Sequence, residues 1–412
     1  MMRTMMPDVS VLDVRLHDTP IATITLVQGD RSLLAFNQNY INDAVRPTLS
    51  LSFKDPFGNL LTAFKTYQQV VPPFFSNLLP EGPLRRYLAE RAGVKEKREF
   101  FLLWMLGRDL PGALSVHPAE GEALPPQVAE DLTPDERQNM LRFSLAGVQL
   151  KFSALKNDPK HGGLTIPVEG VGGSWIVKLP SHQYAGVPEN EYSMMTLAKK
   201  MGMEVPDLQL IDVEAIKGLP EGIGELKGRA LAVKRFDRSA EGPVHMEDFA
   251  QVFGVFPDEK YNKANYRGIA HILGIETGEA GVAEFVRRLV FSTLIGNADM
   301  HLKNWSLIYP DRRTPVLSPA YDLLSTIPYI ADDKMALNYS RTKRMDEFSK
   351  DELTHLAAKA KISEKLVLDT AAETVQRFKN IWAELKADLP LERKVVETID
   401  AHAPSIPIYN EL

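Results

Sequence analysis

The chain has 412 residues, enough for two or three domains, and its 44% apolar and 25% charged residues are those of a globular protein with a sizeable core. A net charge of −6 provides no global basic field for nucleic acid, and the absence of cysteine excludes disulfides, thiolate metal sites and a cysteine nucleophile. Met1 to Leu12 lacks an apolar core of signal-peptide length, and the most apolar run, Phe100 to Leu106, is far short of a membrane span, so a cytoplasmic protein without membrane contact is expected.

The first block opens with period-2 alternation. Leu12, Val14 and Leu16 would point inward with Asp13 and Arg15 outward, and Ile21 to Val27 and Ser32 to Phe36 add further strands of a small antiparallel sheet. A proline-rich entry, Pro72 to Pro83, leads into a helix carrying Leu84, Tyr87, Leu88 and Arg91, which stops at Gly93. A second helix runs from about Arg98 to Leu106, with Gly107 as its stop. Pro118 to Asn139, with Pro125-Pro126 and several acids, reads as a linker or an exposed loop, and the first boundary falls there, so residues 1–139 form the first unit.

The second unit, 140–237, is strand-rich. Leu145 to Phe152 is a turn entering a strand, Lys156 to Gly163 is a long turn, and Ser174 to Pro180 is a strand. The helix Glu189 to Met201 sets Met194, Leu197, Ala198 and Met201 on one face, and strands Leu208 to Val213 and Arg229 to Lys234 follow. On the 174–180 strand, Trp175, Val177 and Leu179 point one way, and Ser174, Ile176 and Lys178 the other. A lysine in so apolar a strand needs an anionic partner or an exposed tip. ATP phosphate is one such partner and Glu191 on the next helix another, while an edge-strand position would also satisfy it. Ser144-Leu145-Ala146-Gly147 could offer backbone N–H groups and a hydroxyl to phosphates. With one glycine it is neither a Walker loop nor a glycine-rich kinase loop, and an ordinary turn accounts for it as well. The strand Ala230 to Lys234, continuing through Arg235 and Phe236, could present backbone groups and a ring to adenine, or be a core strand with an aromatic plug.

The third unit, 238–412, is mostly helical. Phe285, Val286, Leu289, Val290 and Leu294 predict a buried amphipathic helix running up to Gly296, and later helices span Glu352 to Lys361 and Glu364 to Leu385. Trp305 to Tyr309 and Pro315 to Ser318 read as two strands around a turn at Asp311 to Thr314. An antiparallel hairpin centred near Arg313 sets position 304 opposite 322, so Asn304 would face Asp322 with Asp299 just upstream. An Asp, an Asn and a second Asp converging in this way match the metal-and-base end of a kinase site. Taken alone, Asp-x4-Asn is more often a capping Asp, a turn Asn and a solvated Asp.

In order, these segments resemble the HipA family of toxin serine/threonine kinases. The resemblance rests on Ser144 to Lys151, Trp175 to Leu179, Glu189 to Tyr192, Lys234 to Arg238, His245 to Phe249, Asn297 to Asn304 and Tyr321 to Leu323, with Asn77 to Pro80 and Gly107 to Asp109 in the first unit. It implies an α+β, two-lobed kinase-like fold with an N-terminal β-rich subdomain and a mostly helical C-terminal lobe. It further implies Asp299 as catalytic base, and Asn304 and Asp322 as Mg²⁺ ligands. ATP contacts would come from Ser144, Ala146, Gly147, Val148, Gln149 and Lys151, from Lys178 on phosphate, from Lys234, Arg235 and Phe236 at the adenine hinge, and from His301 and Lys303. Ser144 matches the serine that such kinases autophosphorylate. Leu150 and Lys234 depart from the acids that the family often has there. The family also implies a helix-turn-helix antitoxin, contact with DNA only through it, and a protein substrate such as an aminoacyl-tRNA synthetase. A nucleotide-binding corepressor subunit and a small-molecule or lipid kinase are the competing functions.

Overall fold

The computed structural model describes residues 8–82, 85–86, 89, 93–124, 151–156, 164–165, 173–181, 183–217, 219, 227–331 and 334–412. Strands β1 (Val11–Leu16), β2 (Thr19–Val27), β3 (Arg31–Phe36), β4 (Tyr67–Gln68) and β5 (Leu114–Pro118) form an antiparallel sheet in the order β4-β3-β2-β1-β5. Alternation does its expected work, since Leu12, Val14 and Leu16 are buried while Asp13 and Arg15 are half-buried. Unexpected from sequence is β5, a short strand that returns along the free edge of β1. The helix Glu99–Leu106 is buried on every side, as its unbroken apolar run requires. Its one charged residue, Glu99, is held by the Val71 N–H, the Ser76 hydroxyl and Arg85.

Among the described residues the second sheet has six strands: β6 (Lys151–Lys156), β7 (Leu164–Thr165), β8 (Trp175–Lys178), β9 (Leu208–Asp212), β10 (Ile216–Lys217) and β11 (Arg229–Lys234). Their order is β10-β7-β6-β8-β11-β9, which seats β8 between β6 and β11, away from an edge. The helix Val187–Lys200 packs on β11 and β9, with Met194, Leu197 and Ala198 buried and Met201 just beyond its end buried too.

Beyond a small hairpin, β12 (Arg238–Ser239) with β13 (Gly242–Pro243), a third sheet joins β14 (His245–Asp248), β15 (Ser306–Tyr309) and β16 (Val316–Leu317). Two expectations are corrected here. The pairs Leu307–Leu317 and Ile308–Val316 centre the hairpin on Arg312 rather than Arg313, because Arg312 takes the left-handed turn position (φ 68°). Strand register therefore does not set Asn304 opposite Asp322, and Asn304 lies in the 3-10 turn Leu302–Asn304 before β15 begins. The hairpin also has a third strand, β14, along its other edge.

The helix Gly278–Leu294 forms the centre of the C-terminal lobe and packs against Glu364–Leu385 and Tyr266–Glu276. It stops at Gly296, whose φ of 66° and closeness to Ile327 (a Cβ would sit 2.2 Å from Cδ1) leave room for no side chain. Among the described residues, no helix is long and apolar enough to cross a membrane.

The N-terminal subdomain is bonded to both other units by buried polar groups. Ser50 Oγ and the Leu51 N–H donate to the Glu247 carboxyl at 2.5 and 3.0 Å, and the Tyr309 hydroxyl is a third donor to it. The Thr48 N–H and hydroxyl reach the carbonyls of Arg312 and Arg313 at 2.8 and 2.9 Å. Asp237 accepts from the Gly112 N–H, Arg235 and Arg238, and Arg238 also binds Asp109. Burial raises Glu247 from 4.5 to about 7, against the lowering effect of its three donors.

A raised carboxyl favours the folded state below its unfolded pKa, and that contribution is lost as pH climbs through the folded value. Between about pH 4.5 and 7, Glu247→Gln should therefore gain thermal stability relative to the parent chain. Melting curves across that window check this, and a constant difference between the two proteins would contradict it.

Candidate active site

Lys178 is the buried centre of the site. Its backbone pairs with Leu231 on β11 and Lys151 on β6, so both neighbouring strands fix its position. Its ammonium bonds Glu191 of the helix Val187–Lys200 and Asp322 of the segment after β16. Burial alone would lower the pKa of this lysine. The Asp322 and Glu191 carboxylates more than reverse that effect and raise its pKa. Of the partners open to it from sequence, the structure supplies Glu191, and it adds an acid 144 residues away that the sequence did not offer.

Asp322 occupies a left-handed position (φ 58°) that an L-residue enters at a cost. Around it the segment is held firmly. Asn190 exchanges hydrogen bonds with the backbone of Ser325, accepting at 3.0 Å and donating at 2.8 Å. Tyr321 donates to the Lys303 carbonyl at 2.8 Å, lies 2.5 Å from the Ser306 hydroxyl, and packs its ring 5.7 Å from Phe236.

Asp299 lies in the loop after Gly296. Its N–H donates to Asn297 Oδ1 at 3.2 Å, while Asn297 Nδ2 reaches the Asp322 carbonyl at 3.4 Å, so Asn297 links the two acids. The Asn304 amide donates to the Asp299 carbonyl at 2.8 Å. The Asp299 carboxylate is exposed and accepts a hydrogen bond from the Tyr261 phenol at 2.9 Å. Asp299, Asn304 and Asp322 are thus gathered by Asn297 and the loop's own backbone, and not by hairpin register.

Hard oxygen donors are what Mg²⁺ takes, and one carboxylate with an amide oxygen suits an ion that keeps several waters. Asp322 and Asn304 supply that chemistry, since the Asn304 NH₂ group is turned onto the Asp299 carbonyl. Among the described residues no group of three or more His, Asp or Glu converges as a self-sufficient metal cage.

Several other residues expected to contact ATP have neighbours within the protein. Arg235 is half-buried against Asp237 and Asp109, and its side chain ties the segment after β11 to the N-terminal subdomain. Lys234 is half exposed near Asp207. Lys303 binds Glu81 and the Asn77 carbonyl, again in the N-terminal subdomain. His301 is buried, with its Nδ1 unpartnered; burial, then nearby Lys260, pushes its pKa down to about 4, so the ring is neutral. Phe236 packs on Tyr321, and Lys151 is described in its backbone alone. Ser144, Ala146, Gly147, Val148 and Gln149 lie outside the described residues.

Three site residues were missed in sequence: Tyr261, Asn297 as a link, and Glu81. Burial pushes the Glu81 carboxyl up, but the Lys303 and Lys260 ammoniums overcome this and hold it at about 2. Asn77 to Pro80 marked this stretch, but nothing local pointed its acid at a loop more than two hundred residues away.

Family comparisons fit this arrangement. The HipA N-terminal domain family matches residues 12–117, and the HipA-like C-terminal domain family matches residues 143–382. The chain belongs to the HipA family. The provisionally named kinase Y4dM of Sinorhizobium fredii is 69% identical over 98% of this chain and 99% of its own length. The serine/threonine-protein kinase toxin HipA of Shewanella oneidensis is 26% identical over 77% of this chain and 76% of its own. A solved Shewanella oneidensis complex of HipA, HipB and operator DNA contains a chain of the same fold, with a TM-score of 0.72 and 21% identity over 97% of this HipA-family chain and 96% of that one.

Glu191→Ala would leave the buried Lys178 ammonium with Asp322 as its one remaining counter-charge among the two described here. Breaking a buried pair in this way should cost about 3 kcal/mol of folding stability. Denaturant unfolding checks it, and an unchanged midpoint would mean that the pair contributes nothing.

Proposed function

We propose that this HipA-family chain transfers the γ-phosphoryl group of ATP to serine or threonine hydroxyls of a protein, as the toxin of a toxin–antitoxin pair. The observation that carries this is Lys178, a strand lysine fixed by a helix glutamate and aimed at an aspartate beside the Asp299 loop. A strand lysine paired with a helix glutamate, near an acid and an amide that can hold Mg²⁺, is how kinases grip ATP phosphates.

Each residue then has a task. Lys178 places a permanent cation where phosphate oxygens arrive, because its two carboxylates keep it charged despite burial. Asp322 and Asn304 would hold Mg²⁺, which when bound neutralises charge on the phosphates. Asp299, exposed and already accepting from a hydroxyl, orients the acceptor and takes its proton. Phe236 and the backbone of Lys234 to Phe236 would receive adenine. Ser144 would be the autophosphorylated serine, whose phosphate repels ATP by like charge.

The Shewanella complex supports an antitoxin of the HipB kind for this chain too. A net charge of −6 fits contact with operator DNA through that antitoxin alone. An aminoacyl-tRNA synthetase is the substrate class that the family suggests.

Labelled ATP with Mg²⁺, purified protein and cell extract tests the reading. Labelled protein bands are expected; labelled lipids or small molecules would reassign the substrate, and no transfer at all would leave a binding subunit. Asp299→Asn should cut transfer at least about 100-fold with ATP binding retained. Activity above a tenth of the parent's would count against the base. Asp322→Asn should weaken nucleotide binding in Mg²⁺ but not in its absence, and a metal titration with no change would refute the ligand role.

A further inference from the structure

The hydroxyl held by Asp299 belongs to the chain itself. Tyr261 lies just after the short 3-10 segment Pro257–Glu259, and its phenol donates to Asp299 Oδ1 at 2.9 Å. The ring stands edge-on to His301 (centroids 5.1 Å apart, 85° between planes), and the residue is 45% exposed. The ring therefore packs at right angles on the buried, neutral histidine while nearly half of the residue stays open to solvent. Burial of the hydroxyl, then the Asp299 carboxylate, pushes its pKa up, so at neutral pH the phenol keeps its proton and donates it to the hydrogen bond.

That is the geometry of an acceptor hydroxyl on a general base. Nothing in the reaction described above uses Tyr261, and a purely structural tyrosine has little need to spend its hydroxyl on an exposed carboxylate. Cations lie close by: the Lys260 ammonium is 5.5 Å from the ring centroid, and Lys260 and Lys303 bind the two Glu81 oxygens at 2.7 and 2.9 Å.

Resting on the kinase reading, we propose that Tyr261 is an intramolecular phosphoryl acceptor, an autophosphorylation site beside the catalytic base. In the step, Tyr261 Oη forms a bond to the γ-phosphorus of ATP. The bond from that phosphorus to the β–γ bridging oxygen breaks, ADP departs with the electron pair, and the phenolic proton passes to the Asp299 carboxylate. The product carries about −1.5 to −2 charges beside Asp299. Like-charge repulsion drives the phosphotyrosine off the base, and Lys260 and Lys303 are the cations positioned to receive it. It would compete with Glu81 for both lysines, freeing Asp299 for another hydroxyl and loosening the bond from the N-terminal subdomain to the catalytic loop.

The test incubates the full-length chain with Mg²⁺ and ATP over a wide range of protein concentration. Tandem mass spectrometry locates every phosphate while ADP release is followed in parallel. The expected result is phosphate on Tyr261, formed at a rate per molecule independent of protein concentration and lowered at least about 100-fold in Asp299→Asn. Phosphate on other residues, or ADP release, with Tyr261 unmodified would overturn the proposal and leave the phenol as a plug that substrate displaces. A rate per molecule that rises with protein concentration would overturn the intramolecular step. Neither ADP nor phosphate anywhere would overturn the kinase reading itself, and this proposal with it.

Discussion

The ammonium of Lys178 is the charge around which the site is built. It is buried in the middle of a sheet, so its desolvation must be offset by more than one carboxylate. One comes from the adjoining helix through Glu191, the other from the far lobe through Asp322. Meeting that requirement clamps three elements to one another. The strained left-handed backbone at Asp322 is tolerated because the Lys178 pair, the Asn190–Ser325 bonds and Tyr321 over-determine that segment. The acids of the site are thus positioned by long-range electrostatics and hydrogen bonds, with regular secondary structure supplying the frame.

A second set of buried polar bonds gives the N-terminal subdomain a place in that frame. Glu247, Asp237 and Glu81 each join it to a different part of the chain: the third sheet, the segment after β11, and the loop that carries Asp299 and Lys303. Such groups are costly to bury unless their donors are all in place. They therefore specify one docking geometry where apolar packing alone would allow several.

Local periodicity made most of the fold legible. Leu12, Val14 and Leu16 announced a half-buried strand, and Met194, Leu197, Ala198 and Met201 a half-buried helix; all of them are buried as expected. The strand β14 was not readable, because three of its four residues are polar. His245 bonds the Leu49 carbonyl, Glu247 bonds Ser50, and Asp248 caps the short helix that follows, so part of what makes the stretch a buried strand lies almost two hundred residues away. The hairpin was seen but mis-centred by one residue, since any of the polar residues from Asp311 to Thr314 can begin a turn. At the site, Lys178 and Glu191 were visible as an apolar strand's lysine and the next helix's acid. Tyr261 and Glu81 were invisible, being an ordinary exposed aromatic and an acid in a proline-rich loop until the fold brings them to Asp299 and Lys303.

The Glu81 carboxylate has one further consequence. It shares its two oxygens between Lys303, in the loop that carries Asp299, and Lys260, next to the tyrosine that donates to Asp299. Docking of the N-terminal subdomain and the conformation of that loop are therefore coupled equilibria, and thermodynamic coupling is reciprocal. Any ligand that orders the loop in its present arrangement must tighten the subdomain's hold on the rest of the chain by the same factor with which the docked subdomain tightens that ligand. A protein that bound the subdomain from outside and drew Glu81 away would thereby regulate a cleft that it never touched.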